Sequence, residues 1–161
     1  MKFRLVEDKE KKFTVYHGSK KSFNEFDMSK IGDNISTDEF DIKGVYFTPS
    51  KEVALEYAYG ESNGGYEDDN GVVHEYTSPA TEFGFLYVCK LFPKRVKIIN
   101  TSTENEFFIK NQDRLHGYDL VIVRSTVFNK SVNSEDEYIV LDTSIIKIVK
   151  RIKVRNPDWK K

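Results

Sequence analysis

The chain holds a single cysteine, Cys89, among its 161 residues. That excludes an intrachain disulfide and any multi-cysteine metal site. Cys89 lies in the strand-like run Gly84-Phe85-Leu86-Tyr87-Val88-Cys89-Lys90-Leu91. A buried, inert thiol is expected there rather than a nucleophile. An excess of one charge is also missing. Lys and Arg number 25 against 26 Asp and Glu, a balance that gives no bulk attraction to nucleic acid or to a membrane. No apolar run approaches the roughly 18 residues of a membrane span. Residues Met1 to Lys9 lack the apolar stretch of a secretory signal. No two histidines stand with a carboxylate at metal-ligand spacing, so no metal is expected. Internal repeats are lacking too. The expectation is a soluble protein in a reducing compartment, the cytoplasm.

What is present suits one α+β domain over 1–161, with its core at about 12–154. Residues 12–16 read as a strand ending at His17-Gly18-Ser19. A polar stretch over 20–43 reads as a loop or lid, and 44–47 as a second strand. A helix is expected at about 49–58, with Thr48 as N-cap and Pro49 in the first helical position. Residues 59–82 are rich in Gly, Asn, Asp and Glu. They read as a long surface loop, with a hairpin signal at Gly71-Val72-Val73-His74. Strands follow at 84–91 and 96–99, then a helix from Thr101 and Glu104 to about Leu115. The β-branched runs at 118–123, 137–142 and 145–154 close the chain as strands. The last of them alternates apolar and basic residues from 148, as one wet face would, and its local charge fits a solvated final strand and tail.

The segment Gly44-Val45-Tyr46-Phe47 leads directly into a helix that carries Tyr57, eleven residues after Tyr46. A helix folded back beside its strand sets two such rings across a gap one flat ring thick. Electron-rich ring faces suit a cationic aromatic ring. With His17 and Glu137 the pair points to nicotinamide, and so to chemistry on NAD+. Taken singly, each residue has a plain structural explanation: a strand-end histidine, a core tyrosine, a helix-face aromatic and a solvated glutamate. The ordered set carries the argument. His74 and His116 have no assigned role.

In order, His17-Gly18-Ser19, Gly44-Val45-Tyr46-Phe47 with Tyr57, and Glu137-Tyr138-Ile139-Val140 resemble the H-Y-E group of ADP-ribosyltransferases, which includes the poly(ADP-ribose) polymerases and diphtheria toxin. The likeness is strongest to small members in phage and mobile-element polyvalent proteins, and Phe23-Asn24-Glu25-Phe26-Asp27 shares it. The resemblance covers roughly residues 13–150. It implies two small packed sheets, mixed and antiparallel, with a few short helices. It implies that His17 binds the adenosine-side ribose and that the Gly18 backbone, next to Ser19, binds the carboxamide. Tyr46 and Tyr57 would flank the nicotinamide, and Glu137 would meet the 2′-hydroxyl of its ribose. The polymerases carry a serine three residues before the second tyrosine; here that position is Ala54.

The chemistry asks for little more. Breaking the nicotinamide–ribose bond leaves a sugar cation of oxocarbenium character, and the leaving group departs neutral. A fixed carboxylate in a site that excludes water is typically worth about 3–4 kcal/mol there, roughly 10²–10³ in rate. Glu137 would fill that role and act as base toward an acceptor. In Glu135-Asp136-Glu137 the first glutamate resembles an acceptor-selecting residue of the arginine-modifying branch, but Arg124-Ser125-Thr126-Val127 lies too near to supply that branch's other motifs. The loop 129–136 is expected to meet the target. The resemblance implies transfer of mono-ADP-ribose to a macromolecule, a protein first. A nucleic-acid acceptor, water as acceptor, and an NAD+- or ADP-ribose-binding module without turnover stay open. So does the biological role, with a toxin, a phage effector and a defence factor among the readings.

Overall fold

The computed structural model describes residues 12–28, 42–128 and 135–160. Most of the expected lid (29–41) and of the loop before Glu137 (129–134) lies outside the described residues. The elements run β1 (Phe13–Ser19), β2 (Val45–Phe47), α1 (Lys51–Tyr59), β3 (Ser62–Glu67), β4 (Val73–Ser78), β5 (Phe83–Leu91), β6 (Val96–Ile99), α2 (Ser102–Lys110), β7 (Leu120–Val123), β8 (Glu137–Val140) and β9 (Ile146–Arg155).

Two sheets face each other, as the α+β reading expected. One is antiparallel in the order β1-β5-β9; the other has the order β2-β8-β7-β6. In the second sheet β6 and β7 are parallel, while β2–β8 and β7–β8 are antiparallel. The parallel pair needs a crossover, which α2 supplies. Period-two alternation sorts the side chains. Val15, Tyr87, Cys89 and Leu91 meet Val45, Phe47, Leu120, Ile122 and Val140 between the sheets. The opposite face of the second sheet buries Ile99, Val121, Val123 and Ile139, with Phe108 and Ile109 of α2 packed on them. β7 is therefore buried on both faces and reads Leu-Val-Ile-Val. Cys89 is fully buried, and burial pushes its thiol up to about 12, in keeping with an inert core residue.

Helix α1 covers the outer face of the first sheet through Ala54 and Ala58, which are 1% and 0% exposed. It comes so close that a Cβ on Gly18 would sit 1.8 Å from the Ala54 carbonyl oxygen. One on Gly84 would sit 1.8 Å from that of Ala58. Glycine under alanine is what allows the helix to seat there.

Several local expectations need correction. The N-cap of α1 is Ser50, whose Oγ accepts from Val53 N–H at 3.3 Å. Thr48 is engaged elsewhere: its backbone bridges Tyr16, and its Oγ1 accepts from Ser50 N–H. The hairpin signalled at Gly71–His74 within residues 59–82 is present but longer than a loop reading allows, paired from Ser62↔Ser78 to Glu67↔Val73. Its turn is built by Asp68, whose Oδ1 accepts from the N–H groups of Asn70 and Val72, and by Gly71 at φ +81°. The capped start of α2 is as expected, with Thr101 Oγ1 accepting from Glu104 N–H and Glu104 Oε1 from Asn100 N–H. The helix ends at Lys110, however, and Gln112–Leu115 form a separate 3-10 turn. In β9 a register shift opposite Val88/Cys89 leaves Val149 46% exposed. That bulge absorbs two adjacent apolar and two adjacent basic residues, which strict alternation could not place.

Candidate functional site

His17 lies on β1 with its side chain toward the space between the sheets. Its Nδ1 is 2.7 Å from the carbonyl oxygen of Tyr46. A carbonyl only accepts, so Nδ1 carries the proton and Nε2 is left as the acceptor. The half-buried ring is flanked by aromatic rings, with centroids at 5.0 Å to Phe26, 5.5 Å to Phe47, 6.2 Å to Tyr87 and 6.3 Å to Phe23. Burial drives its pKa down to about 4, against the small opposing pull of the Tyr46 carbonyl. His17 is therefore neutral near pH 7, and its Nε2 is a fixed lone pair.

The aromatic enclosure has its own support. Phe23 stacks on Tyr87 at 4.2 Å and 9°. The Tyr87 hydroxyl accepts from Phe23 N–H at 2.7 Å, and Arg151 donates to the Phe23 carbonyl at 3.1 Å. The beginning of the expected lid, up to residue 28, is thus strapped to the sheet rather than loose. Tyr87 and Arg151 carry no motif, and only the Phe-x-x-Phe spacing after His17 signalled this enclosure.

The backbone of Gly18 is aimed by its neighbours. Tyr16 exchanges hydrogen bonds with Thr48 at 2.8 and 3.0 Å, so its peptide groups point toward β2. Two residues on, those of Gly18 point to the same edge. Beyond Thr48 the chain turns through Pro49 into α1, whose backbone packs against Gly18. Ser19 is buried, and its Oγ accepts from Lys21 N–H at 3.0 Å.

Tyr46 and Glu137 share one face of the second sheet. Tyr46 pairs with Ile139, and Glu137 stands two residues before Ile139 on β8. Such diagonal neighbours lie about 7–8 Å apart. Thr48 bridges Tyr16 and Phe47 pairs with Tyr138, so β2 stands between β1 and β8. Tyr46 is held by its hydroxyl, which donates to the Ile42 carbonyl at 2.6 Å, and by packing on the outer core. Tyr57 stands on the flank of α1 and is 62% exposed.

The start of β8 is pinned by Asp136. Its Oδ1 accepts from Ser125 N–H at 2.8 Å, and its Oδ2 pairs with Arg124 at 3.0 Å. Arg124 is thus engaged in holding the strand that begins with Glu137. The sequence reading passed over Asp136. Glu135 is exposed. Among the described residues no three His, Cys, Asp or Glu side chains come together as a metal site, and no helix is long and apolar enough to cross a membrane.

The His17–Tyr46 hydrogen bond links β1 to β2, and β2 pairs with the strand that Glu137 opens. A family model described as ADP-ribosyltransferase in polyvalent proteins matches residues 8–153. The chain belongs to this ADP-ribosyltransferase family. No curated protein matches it. Membership makes ADP-ribosylation the general activity of this transferase and NAD+ its substrate. The ADP-ribosyltransferase carries Ala54 where the polymerases carry serine, and Ala54 is one of the two seats of α1 on the sheet.

Proposed function

We propose that this ADP-ribosyltransferase moves a single ADP-ribose from NAD+ to a protein side chain at the seam between its two sheets. The observation that carries the reading is the His17–Tyr46 hydrogen bond across 29 positions of sequence. It joins β1 to the strand whose partner opens with Glu137.

In this reading the Gly18 N–H and C=O hold the carboxamide, and Tyr57 covers the nicotinamide from the helix side with Tyr46 opposite. The neutral His17 accepts a hydroxyl of the adenosine-side ribose at Nε2. Glu137 takes the 2′-hydroxyl of the other ribose. The C1′–N bond breaks, its electron pair leaves with neutral nicotinamide, and positive charge spreads over C1′ and the ring oxygen. The anion of Glu137 stabilises that charge. An acceptor nucleophile then forms the new bond to C1′ and gives up its proton to Glu137 or to water. Ser19 enters through its place beside Gly18, and Glu135 as an exposed residue next to the acceptor side.

The test is incubation of wild-type and Glu137→Ala protein with labelled NAD+ and a protein lysate. Wild type should release nicotinamide and label protein, and the variant should lose about 10²–10³ of that rate with its thermal midpoint unchanged. Equal rates in the two proteins overturn the assignment of Glu137. Nicotinamide release with no labelled macromolecule makes water the acceptor.

A further inference from the structure

The β3–β4 hairpin is a two-stranded sheet of its own, paired with neither of the others. Six residues per strand extend it by about 20 Å. On β4, Val73, His74, Glu75 and Thr77 are all exposed. The tip is wired rather than slack. Besides the two backbone bonds to Oδ1, Asp68 Oδ2 meets His74 Nε2 at 2.7 Å. This rigid turn presents Val72 at 52% and Val73 at 60% exposure.

The root of the hairpin sits at the rim of the candidate site. Lys20, two residues beyond Gly18, donates to Ser78 Oγ and to the Pro79 carbonyl, both at 2.8 Å. Thr81 N–H bonds the Tyr59 carbonyl at 2.9 Å, at the end of the helix that carries Tyr57. A body engaging the hairpin is therefore held against the edge where Gly18 and Tyr57 lie.

Charge decides what that body is. Between Lys51 and Lys90 there are eight carboxylates and no Lys or Arg. The other residues carry 25 Lys and Arg against 18 Asp and Glu. The near-neutral total conceals this division. Glu61, Glu67, Asp68, Asp69 and Glu75 belong to the hairpin and its root. A strip of one sign beside a reaction site attracts the opposite sign and repels its own. We propose that the hairpin is a docking arm for a basic protein surface, with Val72 and Val73 meeting an apolar spot among its Lys and Arg side chains. This inference rests on the transferase reading and names the acceptor class. Nucleic acid is disfavoured, because its phosphates would meet the carboxylates. On the basic strand β9, Arg155 pairs with Glu82, Arg151 donates to the Phe23 carbonyl and Lys153 covers the Phe83 ring.

The test uses fluorescence anisotropy with a labelled Lys- and Arg-rich peptide, its Glu-substituted counterpart and a single-stranded DNA oligonucleotide. Wild type should bind only the basic peptide, and more weakly as salt rises. The double variant Asp69→Lys, Glu75→Lys leaves the Asp68 turn intact and should bind it at least about tenfold more weakly. In parallel, nicotinamide release from NAD+ should be the same in both proteins, while transfer to the basic peptide falls in the variant. Equal peptide binding by the two proteins, or preference of wild type for DNA, overturns the arm. Absence of nicotinamide release from wild type sinks the transferase reading instead, and the anisotropy still decides the arm.

Discussion

His17 should make this protein lose stability on mild acidification, by an amount that follows from its surroundings. Burial holds the folded pKa near 4, from an ordinary value of 6.5. The unfolded chain therefore binds a proton that the folded chain refuses. The stabilisation is complete above the unfolded value, is lost as pH falls through 6.5 toward 4, and changes little below that. The gap of about 2.5 units converts to about 3 kcal/mol in full, and to about 2 kcal/mol between pH 7.5 and pH 5. Asp68 and Asp142, held below the usual carboxylate range by their hydrogen bonds to His74 and Ser144, add acid sensitivity only at lower pH. Urea unfolding of wild type and His17→Gln at both pH values isolates the term, because every other titrating group is common to the two. Wild type should lose about 2 kcal/mol more than the variant over that interval. Equal losses would mean that the ring titrates as in water. An NMR titration of the His17 ring proton provides the same check directly.

Other outcomes follow from the same geometry. Gly18→Ala should destabilise by about 3 kcal/mol or more, read by urea denaturation, because its Cβ meets the backbone of α1 with no side chain free to yield. Tyr57→Ala, at an exposed position, should change stability by less than about 0.5 kcal/mol yet raise KM for NAD+. An unchanged KM would remove Tyr57 from the site. Asp136→Asn keeps an acceptor for Ser125 N–H but loses the charge facing Arg124. It should cost about 1 kcal/mol and lower kcat with little change in KM, as expected where Glu137 is displaced rather than NAD+ binding lost.

Much of the architecture was legible because it is written at short range. The runs at 84–91, 96–99 and 146–154 declare strands by composition, and Thr101 with Glu104 declares a helix start by two hydrogen bonds that need nothing distant. Errors arose where a residue's partner lay elsewhere in the chain. Thr48 has good capping chemistry, but its backbone answers to Tyr16. Residues 59–82 have the composition of a loop, and pairing of each strand with the other overrides it. Asp136 looks like loop charge until Arg124 and Ser125 lie against it. Tyr87 looks like ordinary core until its hydroxyl is seen holding the Phe23 segment over His17.

The residue types and their order were enough to settle the α+β class, the buried state of Cys89 and the likeness to ADP-ribosyltransferases. All of these depend on alternation, capping and spacing along the chain. The neutral state of His17, the seating of α1 on Gly18, the shared face of Tyr46 and Glu137, and the acidic hairpin rooted at Lys20 and the end of α1 required three-dimensional packing. Desolvation, close backbone approach and strand register are properties of groups that folding alone brings together.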